Sequence, residues 1–185
     1  MMSNIPNLVY LAPTTYEEYI AMLDWSTEQR EHPVAIRVPG AVIHGEKPTK
    51  DYGILNKYET VQKGSGAAII ALGTFFGMGK QAAELIEKKT GVKPTLIDPV
   101  YITGIDEELL ESLKKNHKAV VTLEDGILDG GFGEKIARFY GDSDMRTVNF
   151  GLKKEFLDRY DANEVLRQNG ITPEQIADRA AELIK

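Results

Sequence analysis

The sequence contains no cysteine. That excludes disulfides, thiolate nucleophiles and cysteine-bound zinc. Its three histidines, His32, His44 and His117, are scattered. None pairs with another at metal-binding helical spacing and none stands beside a serine and an acid, so loop or surface roles are expected of them. No apolar run approaches the ~20 residues of a membrane-spanning helix. The opening MMSNIPNLVYLAPTT lacks the basic region and apolar core of a signal peptide. Lys and Arg form no stripe and the net charge is -6, which argues against a nucleic-acid footprint. A cytoplasmic protein is expected, without nucleic-acid or membrane partners.

What is present is a core. The 185 residues are 42% hydrophobic and 27% charged, a balance that suits one α/β domain with an appendage. NLVYLAP reads as a strand, followed by a helix capped by Thr14 or Thr15, with Glu17 and Glu18 in its first turn. Val34 to Val38 reads as a second, mostly buried strand. The irregular stretch AVIHGEKPTKDYGILN then marks a boundary near residue 50. Beyond it strands and helices alternate. YETVQKG, AAIIALG, PTLIDPVYI, AVVTLED and RTVNFGL read as strands. Helices are expected over 75–90, DEELLESLKKN, 131–140, ANEVLRQNG and TPEQIADRAAELIK, the last capped by Thr172 with Pro173 at its first position. Such alternation implies a layered α/β domain with a mostly parallel sheet.

Several stretches invite a chemical reading. GTFFGMGK, Gly73 to Lys80, has five residues rather than four between its outer glycines, and Gln81 follows the lysine. It is a tight strand-to-helix turn and not a phosphate loop. In DGGFG, adjacent glycines open backbone angles closed to other residues and permit close approach. A subunit interface is favoured there over an anion site at the helix N-terminus. Glu124, Asp125 and Asp129 are a possible hard-metal cluster, but their spacing matches no calcium loop. Arg37 interrupts the apolar VAIRV. A charge there needs a partner or a site. A structural ion pair and a clamp for phosphate or carboxylate are equally open on this ground.

The ordered set LAPTTYEEYIAML, HPVAIRVPG, IIALGT, LIDPVYITGIDEELL, AVVTLEDGILDGGFGEKI and VNFGL resembles the C-terminal part of the 1-deoxy-D-xylulose-5-phosphate synthases, and more broadly the transketolase family of thiamine-diphosphate enzymes. The resemblance implies a three-layer α/β/α domain with a mixed five-stranded sheet and one antiparallel strand over 51–185. Residues 1–50 would be the tail of a pyrimidine-binding α/β domain, whose strands would find partners in the rest of that domain. It places Arg37 on the arginine of an Arg-Tyr-Pro-Arg-Gly segment that binds the phosphate of glyceraldehyde 3-phosphate. Here Val38 replaces the tyrosine and Gly40 the second arginine. The loop bearing Glu124, Gly130, Gly131 and Gly133 is implied to be a packing turn near a dimer contact, with Glu124 a structural acid.

The family's Gly-Asp-Gly…Asn magnesium motif and its activating glutamate are absent from this sequence. Thiamine diphosphate and magnesium are therefore expected in the complete enzyme and not on this chain alone. No catalytic or metal-binding residue is expected here. The implied partners are the remaining N-terminal domains or a separate N-terminal subunit, in a homo-oligomer. The alternatives are the C-terminal half of a split transketolase, or a non-catalytic interaction or regulatory module of the same fold.

Overall fold

The computed structural model describes residues 2–38, 40–158 and 160–185. After a 3-10 turn at Met2–Asn4 come β1 (Val9–Leu11), α1 (Tyr16–Glu28) and β2 (Val34–Ile36). Thr15 caps α1: its hydroxyl accepts from the Glu18 amide, while the Glu18 carboxylate accepts from the amide and hydroxyl of Thr14. One free amide of the first turn is thus satisfied by the short Thr15 side chain, and the amide just before the cap by Glu18 reaching back. β1 and β2 pair in parallel as a separate two-stranded sheet. The strand expected over Val34 to Val38 is shorter and less buried than its sequence suggests. Val34–Ile36 are half-buried and Val38 is 69% exposed. A sheet with a single neighbouring strand on this side has too little surface to cover them.

The larger unit contains β3 (Glu59–Gln62), β4 (Gly66–Ala71), α2 (Phe76–Thr90), β5 (Thr95–Asp98), α3 (Glu107–Leu113), β6 (His117–Ile127), α4 (Phe132–Tyr140) and β7 (Arg146–Leu152). Two helices close the chain, α5 (Ala162–Gln168) and α6 (Pro173–Ile184), the latter with the expected Thr172 cap and leading proline. Gly91 ends α2 at φ 71°, a left-handed angle that glycine adopts without strain. The unbroken apolar run of β4 is covered on both faces, as such runs require. Successive side chains alternate: Ala68, Ile70 and Leu72 pack with Leu110, Phe132 and Ile136 on one side. Ile69 and Ala71 pack with Ala83, Ile86, Ile176 and Ala180 on the other. The result is the three-layer α/β/α arrangement.

The sheet order is β3-β5-β4-β6-β7, with only β3 antiparallel to its neighbour. β4 is followed in sequence by β5 on one side of it and flanked by β6 on the other. The strand order therefore reverses at β4. In open α/β sheets such a reversal leaves a crevice at the carboxyl ends of the two strands, where ligands bind.

The two sheets meet along β1. The Ala12 amide donates to the Val100 carbonyl (2.8 Å) and the Ile102 amide to the Tyr10 carbonyl (2.7 Å). Val100 sits at φ 61°, unfavourable for a β-branched residue and held there by the Asp98 carboxylate on its amide. Lys50 adds a second tie, its ammonium reaching Glu18 of α1 (3.2 Å) and Glu59 of β3 (2.8 Å). Burial alone would lower this lysine, but Asp98, Glu18 and Glu59 outweigh it and hold it charged.

At the opposite end of β6, His117 bridges two elements. Its Nδ1–H donates to the Leu113 carbonyl (3.0 Å), so Nε2 accepts from the Thr95 hydroxyl (2.8 Å). That pattern needs the neutral ring, and burial lowers its pKa below the ordinary 6.5. Between 6.5 and the lowered value the unfolded chain binds a proton that the folded chain refuses. Stability is therefore expected to fall as pH drops through that window and to be unaffected by this group above it. Urea midpoints at pH 7.5 and 5.5 check this: the midpoint should drop more in the wild type than in His117→Gln, and equal drops would refute it.

Candidate functional site

The crevice at the reversal is built by the turn after β4 and the end of β6. Gly73 opens the turn Gly73–Phe75 at φ 55°, and a Cβ there would stand 3.3 Å from that of Ala12. Glycine thus lets the N-terminal segment close over the end of β4. Thr74 follows, and its hydroxyl donates to Asp125 Oδ2 (3.2 Å). Asp125 lies near the end of β6, 88 residues from Arg37 in sequence, yet the two meet. Arg37 NH1 is 2.6 Å from Asp125 Oδ1, and NH2 donates to the Asp125 carbonyl (3.1 Å). The Arg37 amide still pairs with the Leu11 carbonyl, so the end of β2, held against β1, carries the arginine to the crevice.

Of the two readings left open for Arg37, the ion pair is present, and the side chain remains 34% exposed. Enclosed space beside it, lined by Ala12, Pro13, Val38, Gly73, Thr74 and Asp125, is only about 10 Å³. That admits at most one water. A phosphate would have to meet Arg37 from its solvent side. Gly40 is described but Pro39, inside the matching segment, lies outside the described residues.

Glu124 points the other way. Its carboxylate is 4% exposed and accepts from the amides of Phe132 (2.9 Å) and Gly133 (2.8 Å), at the start of α4. These are amides a helix leaves without partners. Burial pushes the Glu124 carboxyl up, while the two amides and Arg37 pull it down; the net direction is up. The glycines follow from this packing. A Cβ on Gly131 would lie 2.6 Å from Glu124 Oε2, and one on Gly133 2.5 Å from Thr122 Oγ1, which itself donates to Asn149 (2.8 Å). Gly130 takes φ 71° and is exposed, as is Ile127. Asp129 turns to Lys154 (3.7 Å), so the three acids of EDGILD do not converge. Lys80 is exposed on α2, apart from this crevice, as a packing turn implies.

The Transketolase, C-terminal domain model matches residues 56–176. The chain belongs to that family. It is 30% identical over 186 residues to a 1-deoxy-D-xylulose-5-phosphate synthase of Clostridium tetani (strain Massachusetts / E88), covering 99% of this chain and 30% of the relative. The synthase of Symbiobacterium thermophilum is 32% identical over 184 residues, covering 97% and 28%. The chain thus spans about 30% of the length of the curated relatives it matches. Among solved structures, one described as a split gene transketolase, inactive beta4 tetramer, aligns with TM-score 0.84 and 23% identity over all of this chain and 60% of that one. A Pichia Stipitis transketolase aligns at TM-score 0.73 and 18% identity, over 99% of this chain and 26% of that one. These likenesses show the transketolase C-terminal fold.

Among the described residues no group of three or more His, Cys, Asp or Glu could hold a metal ion. The crevice offers one arginine already engaged by an aspartate. That arginine keeps a solvent-facing side. Likewise, no helix among the described residues is long and apolar enough to cross a membrane. Sequence reasoning named Arg37 and Glu124 but missed Asp125 and Thr74 as partners. The available signal was position: each follows an apolar run, at the carboxyl end that forms the crevice.

Proposed function

We propose that this chain is the C-terminal part or subunit of a thiamine-diphosphate transferase like the 1-deoxy-D-xylulose-5-phosphate synthases. The complete enzyme decarboxylates pyruvate and joins the two-carbon unit to glyceraldehyde 3-phosphate. Thiamine diphosphate with magnesium supplies the carbanion chemistry when bound to the N-terminal domains. This chain supplies Arg37 for the acceptor phosphate and surface for assembly, including the exposed rim of the Gly130 loop. Residues 1–50 are the tail of the pyrimidine-binding domain and 51–185 the third domain. The observation that carries this reading is Arg37 at the carboxyl-end crevice of β4 and β6 with a solvent-facing side, in a chain matched almost end to end by the synthases.

The test is reconstitution. The chain should show no turnover alone and should form 1-deoxy-D-xylulose 5-phosphate from pyruvate and glyceraldehyde 3-phosphate when produced with the N-terminal part that accompanies it in its own genome. Turnover by the chain alone would refute the division of labour. Ketol transfer between sugar phosphates without pyruvate decarboxylation would select the split-transketolase reading, which the TM-score of 0.84 to a split gene transketolase favours as the runner-up.

A further inference from the structure

We infer that Asp125 is a positioning residue for Arg37: it holds the guanidinium at a fixed angle so that its outer edge meets the acceptor's phosphate. This deepens the proposed function and rests on its reading of Arg37. Arginine carries about 2 kcal/mol of rotamer entropy, so a free one loses much of its binding advantage on being ordered. Here the ordering is already done. One residue grips the fork twice, through its carboxylate at NH1 (2.6 Å) and its backbone carbonyl at NH2 (3.1 Å). A single contact would leave the group free to pivot; two contacts to neighbouring nitrogens fix its plane.

Asp125 is itself fixed. Its second carboxylate oxygen accepts from Thr74, which stands on the Gly73–Phe75 turn at the end of β4. Its backbone belongs to β6, whose pairing with β4 runs up to Ala71↔Leu123. The arginine from the N-terminal segment is thus oriented by groups from both strands that form the crevice. Among the described residues, one of its five N–H donors is used in a hydrogen bond this way, and a second nitrogen makes the ion pair. The enclosed space beside it is too small for phosphate, so the ligand must use the exposed edge, and the angle of that edge decides the fit.

A double-mutant cycle in the reconstituted enzyme tests this, using glyceraldehyde 3-phosphate and unphosphorylated glyceraldehyde as acceptors. Asp125→Ala should reduce kcat/KM for the phosphorylated acceptor about 3- to 30-fold, mostly through KM, inside the range expected for directly contacting residues. Asp125→Asn, which keeps an acceptor oxygen, should recover part of the loss. In an Arg37→Ala background the same Asp125→Ala change should cost less than about twofold. On the chain alone, the Arg37 Nη–H signals by NMR should be sharp and slow to exchange in the wild type and lost in Asp125→Ala; signals unchanged in Asp125→Ala would overturn the inference.

If Asp125→Ala costs the same with and without Arg37, the aspartate is merely structural and the inference is overturned. A gain in phosphate affinity would overturn it too, showing that Asp125 competes for the arginine. If Arg37→Ala discriminates between the two acceptors while these results go against Asp125, only the positioning inference falls. If Arg37→Ala does not discriminate, the acceptor reading has failed and the inference falls with it.

Discussion

Glu124→Ala is expected to destabilise the chain by about 3 kcal/mol. The carboxylate is buried and receives two backbone amides, from Phe132 and Gly133. Truncation leaves both amides facing a small void that glycines on either side do not fill. An unsatisfied buried donor costs about 1–3 kcal/mol, and two such donors, plus lost favourable charge at a helix N-terminus, give the figure stated. Against a typical total stability of about 5–15 kcal/mol this is a large fraction. Glu124→Gln should cost less, about 1–2 kcal/mol, because it keeps one acceptor but turns an N–H toward an N–H. Urea denaturation of the three proteins measures it, and amide exchange at the start of α4 locates it. A loss under about 0.5 kcal/mol for Ala would show that water replaces the cap at no cost.

Arg37→Ala in the reconstituted enzyme is the second large effect. A charged hydrogen bond to phosphate contributes roughly 1.5–3 kcal/mol, so kcat/KM for glyceraldehyde 3-phosphate should fall by about 10- to 100-fold. Decarboxylation of pyruvate should change far less, since that half-reaction involves no acceptor phosphate. Lysine should rescue only partly, because a point charge cannot grip Asp125 twice and still present a flat edge. Folding does not confound the result. The Arg37–Asp125 pair is about one-third exposed on both sides, and such pairs contribute at most about 1 kcal/mol. Equal losses with phosphorylated and unphosphorylated acceptors would make the arginine a structural ion-pair residue.

Local physics wrote much of this fold into the sequence. The apolar run of β4 announced a strand covered on both faces, and Thr172, Pro173 and Gly91 marked helix ends where they occur. The order of the strands was not legible in the sequence. Periodicity reports which face of a segment is buried and says nothing of which strand lies beside it, so the reversal at β4 had no local trace. The partner of Arg37 was hidden for the same reason. Its charge in VAIRV signalled that something must receive it, but Asp125 is brought to it only by the contact of the two sheets. The apolar look of Val34 to Val38 misled because hydrophobic residues in a segment signal a capacity for burial; what covers them is supplied by neighbours.

Glu124 and Asp125 are adjacent, and in an extended backbone adjacent side chains leave on opposite sides. One reaches inward to the first turn of α4, the other outward to Arg37. A single peptide unit therefore acts as a crosspiece through the rim of the sheet. The arginine's anchor and the helix's cap are thus neighbouring residues on one strand end. The rim of the crevice is therefore built on the same strand end that caps α4.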